Sequence, residues 1–174
     1  MNSIGDQDFS ELEGEFDELK GALLSDTIRT LGPDEPVCVP DSMSVADAVA
    51  AMMGRRHAAV LVVDARRRLV GIFTERDVLA RVVARGLDAS ATAVGQVMTR
   101  DPDALTVGDR VAHAVNHMSV AGYRTIPLVD EERRPVGVVT AGHVIKWMAS
   151  LFPEAVLNLR PGDALKHPSE VDAG

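Results

Sequence analysis

The sequence predicts a mixed α/β (α+β) fold: two β-α-β-β-α units packed about a pseudo-twofold axis, preceded by an amphipathic helix. Three observations predict it. The chain matches itself at a fixed offset of 66 residues. Each copy runs through the same order of helix-like and strand-like apolar patterns. The first 26 residues form a separate acidic segment with its own apolar stripe. This divides the chain into a helix over 1–26, repeats over 27–90 and 91–152, and a proline-containing tail over 153–174.

The N-terminal helix follows from Phe9, Leu12, Phe16, Leu19 and Leu23, whose steps of three and four residues line one helical face. Around that stripe stand Asp6, Asp8, Glu11, Glu13, Glu15, Asp17, Glu18 and Asp26 against Lys20 alone. They account for −7 of the formal net charge of −8. The stripe has to be covered, and the body or a dimer mate is the expected cover.

The repeat is carried by "VADAVAAMM" from Val45 on "VAHAVNHMS" from Val111, and by "VVDARRRLVGIFTERDVL" from Val62 on "LVDEERRPVGVVTAGHVI" from Leu128. Chance does not hold one offset over such a length, so this is an internal duplication. Each unit opens with a short extended run, Val37–Val39 or Leu105–Val107. A helix follows, with stripes Val45, Ala48, Val49, Met52 and Val111, Ala114, Val115, Met118. Two strands come next, Ala59–Val63 with Leu69–Phe73 and Thr125–Val129 with Val136–Val139, joined by charged turns. Arg66, Arg67 and Arg68, like Arg133 and Arg134, fall in those turns and read as solvated. A second helix, beginning at Thr74 or Thr140, closes each unit. One such unit leaves an apolar face open, and its twin is the expected cover. Past Trp147 a helix continues to Phe152, and Pro153, Pro161 and Pro168 then point to an extended tail with a disordered end.

Composition narrows the function. Hydrophobic residues make up 46% and aromatics 3%, which suits aliphatic strands packed by Ala, Leu and Met helices; Met52, Met118 and Met148 read as core filler. The single cysteine, Cys38, excludes an internal disulfide and a cysteine zinc cluster, and within "VCV" it reads as a small strand hydrophobe. The body is nearly neutral, which argues against non-specific nucleic-acid binding. No run approaches the ~20 apolar residues of a membrane span, and a cytoplasmic protein is expected. His113 and His117 have a metal-ligating spacing, but no third ligand is evident, so no metal is expected. No nucleophile–base pair supports an enzyme.

The stretch "GIFTERDVL" at 71–79 reads in two ways. Thr74 and Asp77 have capping-box spacing, with the hydroxyl taking one orphan N–H and the carboxylate reaching back. The same groups could face a ligand, with Thr74 beside a phosphate and Asp77 on a sugar diol, since a carboxylate accepts two hydrogen bonds from vicinal hydroxyls. Nine residues do not decide between them.

The duplicated unit resembles the CBS domain, and the pair resembles a CBS tandem, or Bateman module, over roughly residues 27–152. "GIFTERDVL", the strand pairs bounded by Asp64 and Asp130, and "YRTIPLVD" at 123–130 carry the resemblance. It implies a non-enzymatic sensor with no required cofactor, which binds an adenosine-type ligand (AMP, ADP or ATP, sometimes NAD or S-adenosylmethionine) between the repeats. It also implies a homodimer that regulates another protein. Carried over residue by residue, Thr74 and Asp77 would face Tyr123, Arg124, Ile126 and Pro127. Arg124 or Arg76 would meet phosphate, and Ile126 with Pro127 would wall the base. The second cleft departs from the pattern. "TAGH" puts His143 beside Thr140 where the carboxylate belongs, and the opposing strand from His57 and Ala58 has neither the Arg nor the Pro. The competing reading is an interaction scaffold with degenerate clefts, acting through its acidic N-terminal helix.

Overall fold

The computed structural model describes residues 6–151, and on the first helix the side chains from Asp17 onward, together with Gly14. Phe9, Leu12 and Phe16 of the stripe, and the tail over 153–174, lie outside what is described at side-chain level or at all. Helix α1 (Asp6–Ser25) packs against α5 (Val111–Ala121) and α6 (Ala141–Leu151). Its last turns bring Leu19, Ala22 and Leu23 against the core of repeat 2. The described part of the stripe is thus covered by the body.

Repeat 1 consists of β1 (Cys38–Pro40), α2 (Val45–Arg55), β2 (Ala59–Val63), β3 (Leu69–Thr74) and a closing helix. The Ser44 hydroxyl starts α2 by accepting the Asp47 amide at 3.1 Å, and Val45, Ala48 and Met52 are buried on the core face. The closing helix is irregular: α3 (Glu75–Asp77) runs into a π turn (Val78–Val82) and a 3-10 turn (Val83–Arg85). Repeat 2 has α5, β5 (Thr125–Val129), β6 (Pro135–Thr140) and the regular α6. Met52 is buried as expected of core filler, but Met148 is 40% exposed, because it falls on the outer face of α6.

The opening segments of the repeats are exchanged. The short helix α4 (Val94–Val97) and the strand β4 (Thr99–Arg100) open repeat 2 but dock on repeat 1. Val94 and Gly95 donate to the carbonyls of Met43 and Asp41, and β4 pairs antiparallel with β3 through Gly71↔Arg100. Conversely, the turn Ile28–Leu31 opens repeat 1 but docks on repeat 2, with Ile28 and Arg29 donating to the carbonyls of Asp109 and Val107. Asp34 bridges Val138 on β6. The first sheet therefore has the order β1-β2-β3-β4, while the β5-β6 pair is widened by bridges from Leu105 and Asp34. Gly71 makes this closure possible: a Cβ there would sit 2.2 Å from the Met98 sulfur.

Three clusters form the core. One fills repeat 1, one fills repeat 2, and a third joins Ala59, Leu61, Leu69 and Ile72 of repeat 1 to Val138 of repeat 2. Cys38 lies half-buried in β1 beside that shared cluster, and burial pushes its thiol up.

The hairpin turns are built alike. Asp64 accepts the amides of Arg66 and Arg68 and pairs with the Arg68 guanidinium; Asp130 does the same with Glu132 and Arg134. Arg133 is not merely solvated: its carbonyl accepts the Leu69 amide across the repeats at 2.9 Å, and its guanidinium pairs with Asp101. The backbone amides of Arg68 and Arg134 hold the Asp64 and Asp130 carboxyls below the usual carboxylate range. Their stabilisation is present above the unfolded value of about 3.9 and is lost as pH falls through the lower folded value. Urea midpoints should therefore decline below about pH 4, and the Asp64→Asn, Asp130→Asn double variant should decline less steeply. Equal slopes would place the acid sensitivity in other carboxylates.

Candidate functional site

The exchanged packing leaves a cleft of about 340 Å³ between the repeats. Its floor on the repeat 1 side is the junction of β3 and α3. Thr74 caps α3, and its hydroxyl lies 3.3 Å from the Asp77 amide. Asp77 Oδ2 in return accepts the Thr74 amide at 2.9 Å and the Thr74 hydroxyl at 2.8 Å. Both members of the capping box are thus formed, and Asp77 is 8% exposed yet lines the cleft. Its other oxygen, Oδ1, stands 3.1 Å from Arg81 Nε.

Repeat 2 supplies the opposite wall. Gly122, at φ +71, ends α5, and the chain turns there so that Tyr123 and Arg124 enter the cleft ahead of β5. The Tyr123 hydroxyl donates to Asp103 at 3.2 Å, and that bond pushes its pKa up. Arg76 and Arg124 both reach the cleft, and neither guanidinium has a hydrogen bond or ion pair among the described residues. Ile72, Ala58 and Pro127 give the cleft an apolar side.

The structure thus brings Thr74, Arg76, Asp77, Tyr123, Arg124 and Pro127 around one cavity. Ile126 is not among them. Successive strand residues point to opposite faces, so with Thr125 and Pro127 on the cleft, Ile126 turns into the core of repeat 2, where it is 1% exposed. Ala58, assigned from sequence to the second cleft, lines this first one, because its strand end pairs beside Thr74 and its carbonyl accepts the Glu75 amide. Sequence reasoning missed Arg81, Ile72, Thr99, Pro102 and Asp103. Only Arg81 carried a local signal, its i+4 spacing from Asp77.

Around His143 the arrangement differs. Its Nδ1 lies 3.0 Å from both the Thr140 amide and the Thr140 hydroxyl, so the imidazole caps α6 as Asp77 caps α3. Accepting an amide proton requires the Nδ1 lone pair, which assigns the ring proton to Nε2, 3.3 Å from Asp34 Oδ2. The incoming Pro33–Asp34 segment thus meets the residues that would form the second cleft. His57 is half-buried and uses its amide to close α2 on the Met52 carbonyl; among the described residues its ring bonds neither His143 nor Thr140. No three His, Cys, Asp or Glu side chains among the described residues gather into a metal cluster, and no described helix is long and apolar enough to cross a membrane.

A family model described as the CBS domain matches residues 28–84 and 94–150. The chain belongs to the CBS domain family. Among curated relatives, the CBS domain-containing protein CBSCBSPB3 of Arabidopsis thaliana is 35% identical over 104 residues, which is 60% of this chain and 19% of that protein. The meiotically up-regulated gene 70 protein of Schizosaccharomyces pombe is 35% identical over 111 residues, 64% of this chain and 15% of its own length. The chain thus spans about a fifth or less of these relatives. Among solved structures, the CBS domain pair of protein MJ0100, in complex with 5'-methylthioadenosine and S-adenosyl-L-methionine, superposes with a TM-score of 0.65 at 23% identity, covering 72% of this chain and 97% of that one. CBSX2 in complex with AMP gives a TM-score of 0.62 at 22% identity over 72% and 98%. At these identities the likeness is one of fold, and the fold is that of a CBS domain pair.

Proposed function

We propose that this CBS pair is a non-enzymatic sensor that binds one adenine nucleotide per chain in the cleft at Asp77 and reports its occupancy to a partner protein. The observation that carries the reading is the meeting of a carboxylate from repeat 1 with two guanidiniums, Arg76 and Arg124, contributed by opposite repeats and without a bonded partner among the described residues. A nucleotide has the matching parts. Its ribose diol suits Asp77, its phosphate suits Arg76 and Arg124, and its base fits the apolar side formed by Ile72, Ala58 and Pro127. The cavity falls within the ~300–1,000 Å³ of small-molecule sites. The ligands held by the MJ0100 pair and by CBSX2 all contain adenosine, which supports the class without selecting the member.

A second copy of the chain belongs to the proposal. Leu79 and Ile145 occupy equivalent positions on the two closing helices and are 66% and 65% exposed, so they offer matched apolar contacts. A cytoplasmic location also belongs to it, resting on the lone Cys38 and the lack of any internal disulfide. The test is a thermal-shift panel of AMP, ADP, ATP, NAD and S-adenosylmethionine. A ligand at ~100 times its dissociation constant should stabilise by ~2.7 kcal/mol, a rise of several degrees. A melting point unmoved by the whole panel would refute the sensor reading.

A further inference from the structure

Asp77 holds more donors than a helix cap requires. Oδ2 accepts the amide and the hydroxyl of Thr74, and Oδ1 faces Arg81 Nε at 3.1 Å. A carboxylate offers about four lone-pair sites, so these three partners leave one. A ribose diol brings two hydroxyl donors and needs two acceptor sites. One existing bond must therefore break when the sugar docks on Asp77. The Thr74 bonds are held within a single turn and satisfy a half-buried backbone N–H, which is expensive to leave unpaired. The Arg81 side chain is 35% exposed and can turn to water. Arg81 is the partner that yields.

The duplication supplies an internal comparison. The closing helix of repeat 2 is a regular α-helix from Ala141 to Leu151. That of repeat 1 widens into a π turn over Val78–Val82, and Arg81 lies within it. Such turns are rare and gather at functional sites. At the position 66 residues beyond Arg81 stands Trp147, whose indole N–H bonds Asp26 instead, and the carboxylate is replaced by His143. The π turn, the arginine and the carboxylate occur together, on the repeat that opens on the cleft. Arg81 also has a second partner: its Nη1 donates to the Val97 carbonyl at 2.9 Å. Val97 ends α4, two residues ahead of Thr99, which begins β4 and lines the cleft.

We propose that Arg81 competes with the nucleotide's ribose for Asp77, and that its displacement loosens its hold on Val97 and so passes occupancy of the cleft to the segment joining the repeats. The inference rests on the nucleotide reading above and adds its regulation: Arg81 holds affinity down and carries the signal outward. It is tested on the full chain by calorimetric titration of AMP, ADP and ATP, all of which carry the diol, into wild type, Arg81→Met and Arg81→Lys. Amide exchange over residues 94–101 is followed in parallel. Removing the competing charge-assisted bond should tighten binding by about tenfold in Arg81→Met. Arg81→Lys, which keeps the charge but lacks the fork to hold both partners, should fall between and serves if the Met variant folds poorly. Without ligand, exchange near Val97 should be faster in both variants, and nucleotide should shift wild type toward that level. Weaker binding by Arg81→Met would make Arg81 a ligand contact, and unchanged affinity would make Thr74 the partner that yields; either result overturns the competition. Nucleotide binding to wild type with unaltered exchange over 94–101 overturns the latch alone. Failure of all three nucleotides to bind wild type overturns the nucleotide reading itself, and the inference falls with it.

Discussion

Asp77→Asn should weaken adenine-nucleotide binding by about 10- to 100-fold, because a charge-assisted hydrogen bond contributes about 1.5–3 kcal/mol net. The cost to the unliganded protein should be much smaller, about 1 kcal/mol, the usual scale of a lost capping interaction. The structure shows why the two effects separate. The capping bonds made by the carboxylate itself converge on Oδ2, whereas among the described residues Oδ1 meets only Arg81, a side chain that water can satisfy. An asparagine can keep the Thr74 amide on its carbonyl oxygen. What it lacks is the charge and the second acceptor oxygen that a carboxylate offers to a diol. The opposite cleft provides the control. His143→Asn should leave the affinity nearly unchanged, because His143 caps α6 against Asp34 and no carboxylate stands at its position. Calorimetry on both variants decides the matter. If Asp77→Asn binds like wild type but melts far lower, Asp77 serves only as a cap.

Capping and ligand binding are compatible at Asp77, and the sequence alone could not show it. "TERD" specifies the local geometry of Thr74 and Asp77 through their spacing, and both bonds of the box are present. Whether the carboxylate also meets open space depends on what lies opposite, which is set 46 residues later at Tyr123 and beyond. Strand pairs and helix stripes were legible because each has its own period and each appears twice. The period of two was also enough to turn Ile126 away from the cleft, since it alternates with Thr125 and Pro127. Assigning the neighbours Ile126 and Pro127 to one wall, with Thr125 left out, ran against that alternation.

Other features had no local signal. Thr99, Pro102 and Asp103 reach the cleft only because β4 pairs with β3 and Arg133 of the far hairpin grips Asp101 and the Pro102 carbonyl. Segments of two to four residues are too short to show a period, so the exchange of Ile28–Leu31 and Val94–Arg100 between repeats was invisible. The π turn was equally hidden. "VLARVV" has an ordinary helical composition, and the bonds of Arg81 to Asp77 one turn back and to the distant Val97 carbonyl, not propensity, accompany the widened turn.

That exchange has the largest expected consequence for stability. A fragment ending at Leu87 should show no cooperative unfolding transition, although it contains every strand and helix of the first β-α-β-β-α unit. It lacks α4 and β4, and with them the buried Val94, Val97 and Met98 of the repeat 1 core. It also exposes Ile28 and Leu31, which are 0% and 7% exposed in the full chain because they lie in the core of repeat 2. Leu61, Leu69 and Ile72 lose their packing on Val138 as well. Full burial of one such side chain contributes about 1.5–3 kcal/mol, so loss of five of them removes on the order of 10 kcal/mol. A typical domain has a total stability of about 5–15 kcal/mol, and a unit of this size sits at the low end of that range. Unpaired β3 edge groups would add to the deficit and favour association of the fragment with itself. Urea titration followed by far-UV circular dichroism, with amide dispersion by NMR and sedimentation to establish the monomer, measures the outcome. A sharp sigmoidal transition in the monomeric fragment would mean that the exchanged segments decorate a repeat able to fold alone; a broad, featureless loss of ellipticity is the expected result, because the two repeats share their cores.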